Sequence, residues 1–218
     1  MIVDERVENY IRNLIPQQSE AMEALKAYAD NFLVPIVHPE VGTLLRVLCK
    51  MHQPKRILEV GTAIGYSALL MDHACNYKAT IDTLELSPEM VRHARQNIES
   101  FGATSRMTVY EGDAAVLLKT LVGPYDLIFI DAAKGQYLEY LDSCIPLMKA
   151  GTLLVSDNVL FKGMVATNEL LVKRKVTLVK RLRTYLDRIM HHDQMDSTII
   201  PIADGVALSI WKGQKNED

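Results

Sequence analysis

Three residues of this chain have the types and placement to bind a metal ion together. Asp131 follows the apolar run Leu127-Ile128-Phe129-Ile130, and Asp157 and Asn158 follow Leu153-Leu154-Val155-Ser156. Short apolar runs of this kind predict buried strands, so both sets fall at strand ends. Two carboxylates and an amide oxygen are hard ligands, suited to Mg2+ or a similar ion such as Mn2+ and poor for zinc. Adjacent residues in a strand point to opposite faces. Asp157 and Asn158 can therefore converge only if the chain has already left the strand. The competing reading from spacing alone is a pair of loop caps.

A second constellation lies upstream. Ile57-Leu58-Glu59-Val60-Gly61-Thr62-Ala63-Ile64-Gly65-Tyr66-Ser67 reads as a strand, a glycine turn and a helix start. Gly61 permits a tight turn and close backbone approach, and Gly65 lets the helix begin against the strand. The N–H groups of that helix start can hold an anionic group. A dinucleotide site wants glycine at the middle position of G-x-G-x-x-G, where this chain has Ala63, which leaves room for a carboxylate instead of a pyrophosphate. Glu85, at the end of the next strand, can accept hydrogen bonds from both hydroxyls of a ribose. Gly112-Asp113-Ala114, at the end of the third, can meet an adenine amino group.

The elements that must position these residues follow from periodicity. The first ~50 residues are helical in pattern, with Pro16, Pro35 and Pro39 as punctuation. Strands are predicted over 56–60, 80–86, 107–111, 125–131 and 152–157. Helices are predicted over 66–75, from Pro88 to about Phe101, briefly from Ala114, over 134–148 and over roughly 168–191. Strands alternating with helices imply a parallel sheet covered on both faces, and open sheets of this kind place ligands at the carboxyl edge. Ser197–Ile202 and Val206–Trp211 flank Ala203-Asp204-Gly205 and read as an antiparallel hairpin. The expectation is an α/β fold: a doubly wound, Rossmann-like sheet of seven strands, mostly parallel, closed by that hairpin. Residues 1–218 form one domain in this reading, with residues 1–52 as a helical extension packed on it.

Glu59, Gly61, Gly65, Glu85 and Asp113 together resemble the class I methyltransferase pattern. Ile130-Asp131-Ala132-Ala133-Lys134-Gly135-Gln136-Tyr137 and Asp157-Asn158-Val159-Leu160 resemble the metal-dependent O-methyltransferases of the catechol and caffeoyl-CoA type. The resemblance covers nearly the whole chain and implies S-adenosylmethionine as methyl donor. Its cofactor set here is Glu59, Gly61, Gly65, Tyr66, Ser67, Glu85, Gly112, Asp113, Ala114 and Asp131, with Ser67 and the helix-start N–H groups on the methionine carboxylate. The implied metal set is Asp131, Asp157 and Asn158. The implied catalytic residues are Asp131 and Lys134, the lysine as base. Methyl transfer from a sulfonium is an in-line displacement that needs an oxyanion-like, aligned acceptor, and a divalent ion supplies both requirements. The resemblance also implies a homodimer, with the N-terminal helices as candidates for its interface.

Further stretches, including Val34-Pro35-Ile36, Phe161-Lys162-Gly163 and Ile200-Pro201-Ile202-Ala203-Asp204-Gly205, look like a bacterial branch containing the tRNA 5-hydroxyuridine methyltransferase. The leading expectation is therefore methylation of wobble 5-hydroxyuridine in tRNA to 5-methoxyuridine. The 5-hydroxyl and 4-carbonyl oxygens of that base can chelate an ion as a catechol does. Eight basic residues between Lys162 and Arg188 (Lys162, Lys173, Arg174, Lys175, Lys180, Arg181, Arg183 and Arg188) face two acidic ones, Glu169 and Asp187, and could hold phosphates. Composition alone slightly favours a solvated helix face. The alternative acceptor is a small catechol-like phenol, with every catalytic residue shared. A non-catalytic cofactor- or RNA-binding module and an NAD oxidoreductase are further alternatives, disfavoured by the metal set with Lys134 and by Ala63 respectively.

Bulk properties agree with a globular enzyme. Hydrophobic residues make up 49% and charged residues 23% of 218 residues, and the net charge of −3 does not suggest a general nucleic-acid binder. No apolar run reaches the ~20 residues of a membrane helix, and Met1-Ile2-Val3-Asp4-Glu5-Arg6 does not read as a signal peptide. Cys49, Cys75 and Cys144 are far apart in sequence and read as small buried residues in a cytoplasmic protein.

Overall fold

The computed structural model describes residues 2–213. The described residues fall into two compact units, residues 5–114 and residues 115–213 with 2–4.

The first unit opens with α1 (Glu5–Leu14), α2 (Glu20–Phe32) and α3 (Pro39–His52). Ser19 caps α2 through the Met22 N–H, Pro39 opens α3, and both helices end in left-handed residues, Leu33 and Gln53. Then come β1 (Arg56–Val60), α4 (Tyr66–Ala74), β2 (Thr80–Glu85), α5 (Pro88–Ser100) and β3 (Met107–Glu111). β2 pairs in parallel with both β1 and β3, in registers that include Val60↔Leu84 and Glu85↔Glu111. α3 packs on α4, so the N-terminal helices belong to the same unit as these strands. Asp72 on α4 is buried and takes both forks of Arg106, at 2.7 and 2.8 Å. The thiols of Cys49 on α3 and Cys75, just after α4, hydrogen-bond each other, a pairing that their separation in sequence hides.

After the one-turn α6 (Ala114–Leu117), the second unit carries β4 (Tyr125–Ile130), α7 (Tyr137–Cys144), β5 (Met148–Ser156), α8 (Val176–Met190), β6 (Met195–Ile200) and β7 (Val206–Trp211). β4 and β5 are parallel; β7 is antiparallel to both β5 and β6. The seven strands run in the order β3-β2-β1-β4-β5-β7-β6. The expected fold class holds: a mixed, Rossmann-like sheet with antiparallel C-terminal strands. Consecutive residues of β4, Leu127 to Ile130, have no exposed surface, as expected of a strand covered on both faces.

Two helices are shorter than the periodicity suggests. The stretch 134–148 is divided into a 3-10 turn at Lys134–Gln136, then α7, then a second 3-10 turn at Ile145–Leu147, where Pro146 has no N–H to continue the ladder. The helix expected from 168 begins at Val176 instead. Arg183 reaches back to the carbonyls of Val165 and Met164 and to the Asn168 side chain, holding that stretch as turns. β6 ends before Pro201, two residues earlier than expected, because proline cannot donate to the ladder.

Candidate active site

The residues expected to hold the methyl donor lie in the first unit. β1 delivers Glu59, which is fully buried, and both of its oxygens are engaged: Ser67 Oγ and Thr83 Oγ1 each donate at 2.5 Å. Thr83 is in turn 2.6 Å from Thr62 Oγ1. Glu59 is therefore an internal post for the turn, and Ser67 spends its proton on it. The Ser67 hydroxyl has a protein partner where the resemblance implied a ligand carboxylate, which leaves the backbone N–H groups of the first turn of α4 for that role.

The turn itself is held tightly. The N–H groups of Gly61 and Thr62 donate to Leu84 O, at 3.0 and 3.2 Å, and the Gly65 N–H donates to Thr62 O at 2.8 Å. Gly61 and Gly65 have φ of 106° and 84°, conformations that favour glycine. Ala63, in place of the middle glycine of a dinucleotide loop, is itself left-handed at φ 46°. Its N–H donates to Glu85 Oε2 at 2.9 Å, while Glu85 Oε1 accepts from the Ser87 N–H at 2.8 Å. Each oxygen keeps a second lone pair, so Glu85 can still receive two hydroxyls. Asn97, which sequence reasoning passed over, donates from α5 to Ile64 O at 2.9 Å and pins the turn from outside. Asp113 is exposed beyond Gly112, whose N–H donates to Glu85 O at 2.8 Å, so the two acidic positions share one strand edge. Tyr66 points elsewhere: its hydroxyl accepts from Gln18 Nε2 at 2.7 Å, beside a cavity of about 320 Å3 lined by residues of the N-terminal helices, so only its backbone can serve a ligand at the turn.

The residues expected to hold the metal ion and the acceptor lie in the second unit. The register Ile130↔Ser156 makes Asp131 and Asp157 the next residues on neighbouring parallel strands, and the Asp157 N–H donates to Ile130 O at 2.9 Å. β5 ends at Ser156, and Asn158 turns left-handed at φ 55°. The chain has thus left the strand, as convergence of Asp157 and Asn158 requires. Asp157 Oδ1 accepts from the Asn158 N–H at 2.6 Å, but Asp157 Oδ2 is buried with no hydrogen-bond partner. Burial, followed by the negative charge of Asp131, pushes the Asp157 carboxyl up to about 7, with Asn158 N–H and the Lys134 ammonium acting against them. Lys134 heads the 3-10 turn before α7 and is half-buried.

Two tyrosines to which the sequence expectation gave no role support this cluster. Tyr137 donates to the Asp157 carbonyl at 2.9 Å and meets Tyr185 edge-to-face at 5.5 Å; the Tyr185 hydroxyl lies 2.5 Å from Ser156 Oγ. Burial and the neighbouring carboxylates of Asp131 and Asp157 raise the Tyr137 phenol well above its ordinary range, so it remains a donor. Among the described residues there is no cluster of three His, Cys, Asp or Glu side chains suited to a metal; the expected set has two carboxylates, with the Asn158 amide as its third member.

The basic segment is partly consumed by the fold. Arg183 braces residues 164–168, Arg188 pairs with Asp142 at 2.7 Å, Arg181 donates to Gly135 O at 3.2 Å, and Lys175 sits over the Phe161 ring. No helix among the described residues is long and apolar enough to cross a membrane.

Residues 16–212 match the O-methyltransferase family. A catechol O-methyltransferase of Niastella koreensis is 35% identical, over 95% of this chain and 97% of the relative. Among solved structures, the Podospora anserina methyltransferase PaMTH1 bound to S-adenosylhomocysteine superposes with a TM-score of 0.86 at 28% identity, covering 95% of this chain and 94% of that one. The O-methyltransferase TomG of Streptomyces achromogenes, in complex with S-adenosylmethionine, gives 0.83 at 26% identity, covering 95% and 96%. The chain thus belongs to the O-methyltransferase family, in its catechol and caffeoyl-CoA type.

Proposed function

We propose that the chain transfers the methyl group of S-adenosylmethionine to one of two neighbouring oxygens on a small catechol-like acceptor, held at a divalent ion. The observation that carries this reading is the buried, unpartnered Asp157 Oδ2 beside Asp131. A buried carboxylate oxygen without a donor is costly, and a cation is the ligand that would satisfy it. Asp131, Asp157 and the Asn158 amide are hard-oxygen donors that fit Mg2+ or Mn2+. When bound, such an ion lowers the pKa of an acceptor oxygen and fixes its direction.

The chain's own residues do the rest. The first turn of α4 and the Gly61–Gly65 turn hold the donor's carboxylate, Glu85 accepts its ribose hydroxyls, and Asp113 accepts its adenine amino group. Asp131 and Asp157 orient the acceptor side, and Lys134 takes or steadies the acceptor proton. Tyr137 keeps the two strand ends in register by holding the Asp157 carbonyl.

The wobble 5-hydroxyuridine of tRNA, first in rank on sequence, passes to second. The curated relative named above is a catechol enzyme. Of the arginines counted toward a phosphate-binding face, Arg183 is half-buried and braces residues 164–168, while Arg181 and Arg188 make exposed contacts to Gly135 O and Asp142. A homodimer is supported by α1, which has no buried residue and leaves Tyr10 and Leu14 more than 60% exposed.

The test is a parallel assay of catechol, phenol and tRNA lacking 5-methoxyuridine with labelled donor and Mg2+. Catechol is expected to turn over, and phenol, lacking the second oxygen, to be at least about a hundredfold poorer. Brisk methylation of the tRNA with none of catechol would restore the first ranking.

A further inference from the structure

The loop that follows β5 is strained in a way its own sequence does not support. Asn158, Phe161 and Lys162, none of them glycine, have φ of 55°, 44° and 55° within five residues. Asparagine takes up this conformation readily, but at Phe161 and Lys162 it persists only where surrounding structure over-determines it. The surrounding structure here is the turn between β6 and β7. The Val159 N–H donates to Gly205 O at 3.0 Å, the Leu160 N–H donates to Asp204 O at 2.9 Å, and the Lys162 N–H donates to the Asp204 carboxylate. The turn is left-handed as well, strained at Ala203 with φ 47°, and at Gly205 with φ 86°, where glycine adopts the conformation freely. It also fits closely: a Cβ on Gly205 would stand 2.3 Å from Leu160 Cγ. Ala203 and Gly205 are buried, and Val159 has no exposed surface.

We infer that Asp204 is a positioning residue of the acceptor half: its carboxylate and carbonyl clasp the 158–162 loop and so fix Asp157 and Asn158 as a pair of ligands. The inference rests on the metal reading proposed above. Asp204 acts by the position of its acceptor oxygens, one from the backbone and one from the side chain. Its negative charge reaches Asp157 as well and would favour a cation there, so position and charge must be separated by experiment.

Two substitutions separate position from charge. Asp204→Asn keeps an acceptor oxygen at the same reach and removes the charge. Asp204→Glu keeps the charge and displaces the oxygen by a methylene. Mn2+ affinity is measured calorimetrically on the full-length chain, with S-adenosylhomocysteine affinity measured alongside as the readout of the first unit. Asp204→Asn is expected to bind Mn2+ within about threefold of the parent, and Asp204→Glu about tenfold or more weaker, the range over which supporting hydrogen bonds tune a metal site. S-adenosylhomocysteine affinity should hold in both. Equal Mn2+ affinity in Asp204→Glu and the parent overturns the inference, and so does a loss in Asp204→Asn as large as that in Asp204→Glu. If the parent chain binds no divalent ion while binding S-adenosylhomocysteine, the metal reading itself fails, and the inference with it.

Discussion

The donor half and the acceptor half are built on opposite principles. Around Glu59 the chain closes its own polar network: Ser67 and Thr83 donate, Thr62 stands behind Thr83, and Asn97 and Glu85 hold the turn by its backbone. Around Asp157 the network is left open, with one carboxylate oxygen buried and unmatched, a second carboxylate near it, and a strained loop clasped from outside. A prebuilt cradle suits a large organic donor that brings its own hydrogen-bonding groups. An incomplete cluster of hard oxygens suits a small ion that must be gained and exchanged.

The largest expected effect that separates the halves comes from Asp157→Ala. It removes a ligand and the unmatched oxygen together, so turnover should fall by about a thousandfold, with S-adenosylhomocysteine affinity within about twofold of the parent. Steady-state rates and calorimetry on the same preparation check this. A matching loss of donor affinity would mean that the halves are not separable. Glu59→Ala is the mirror experiment. It strands two buried hydroxyls and opens a cavity, so thermal or urea denaturation should show a destabilisation of about 3 kcal/mol. Donor affinity should weaken while Mn2+ affinity holds. An unperturbed turn after this change would contradict the role of Glu59 as its post.

The smallest effect is one of pH. The Asp157 carboxyl is raised in the folded chain, so it favours folding most at acid pH, below the ordinary carboxylate range. That contribution is lost as pH rises through about 7. In metal-free protein the melting temperature of Asp157→Asn should therefore decline less between pH 5 and pH 8 than that of the parent, by roughly 5 °C. Added Mg2+ should stabilise the parent more at pH 8 than at pH 5, because at pH 5 a proton competes for the same oxygen. Parallel pH profiles for the two proteins would show that Asp157 is not the group responsible.

The strands, their mostly parallel arrangement and the antiparallel C-terminal pair were legible in the sequence, because buried runs such as those ending before Asp131 and Asp157 carry a local signal. The requirement that the chain leave the strand before Asn158 was also legible, since it follows from the alternation of side chains, and the left-handed Asn158 meets it. What was not legible depends on distant partners. Nothing near Ser67 says that its proton goes to Glu59, and nothing near Arg183 says that it shortens a helix by bracing residues 164–168. Asp204 and Gly205 read as an ordinary hairpin turn. Their hold on the 158–162 loop spans more than forty residues and depends on a backbone strain that has no compositional signature. The basic count over 162–188 has the same limit: it sums charges without showing that Arg188 pairs with Asp142 or that Arg183 braces residues 164–168.

The central claim is that the acceptor half works only as an ion-bound cluster. Its most direct test is the rate of catechol methylation by protein stripped with EDTA, before and after Mg2+ is restored. The rate is expected to fall at least about a hundredfold on stripping and to recover on addition of Mg2+, with donor affinity unaltered throughout. Equal rates in the stripped and restored protein would contradict it.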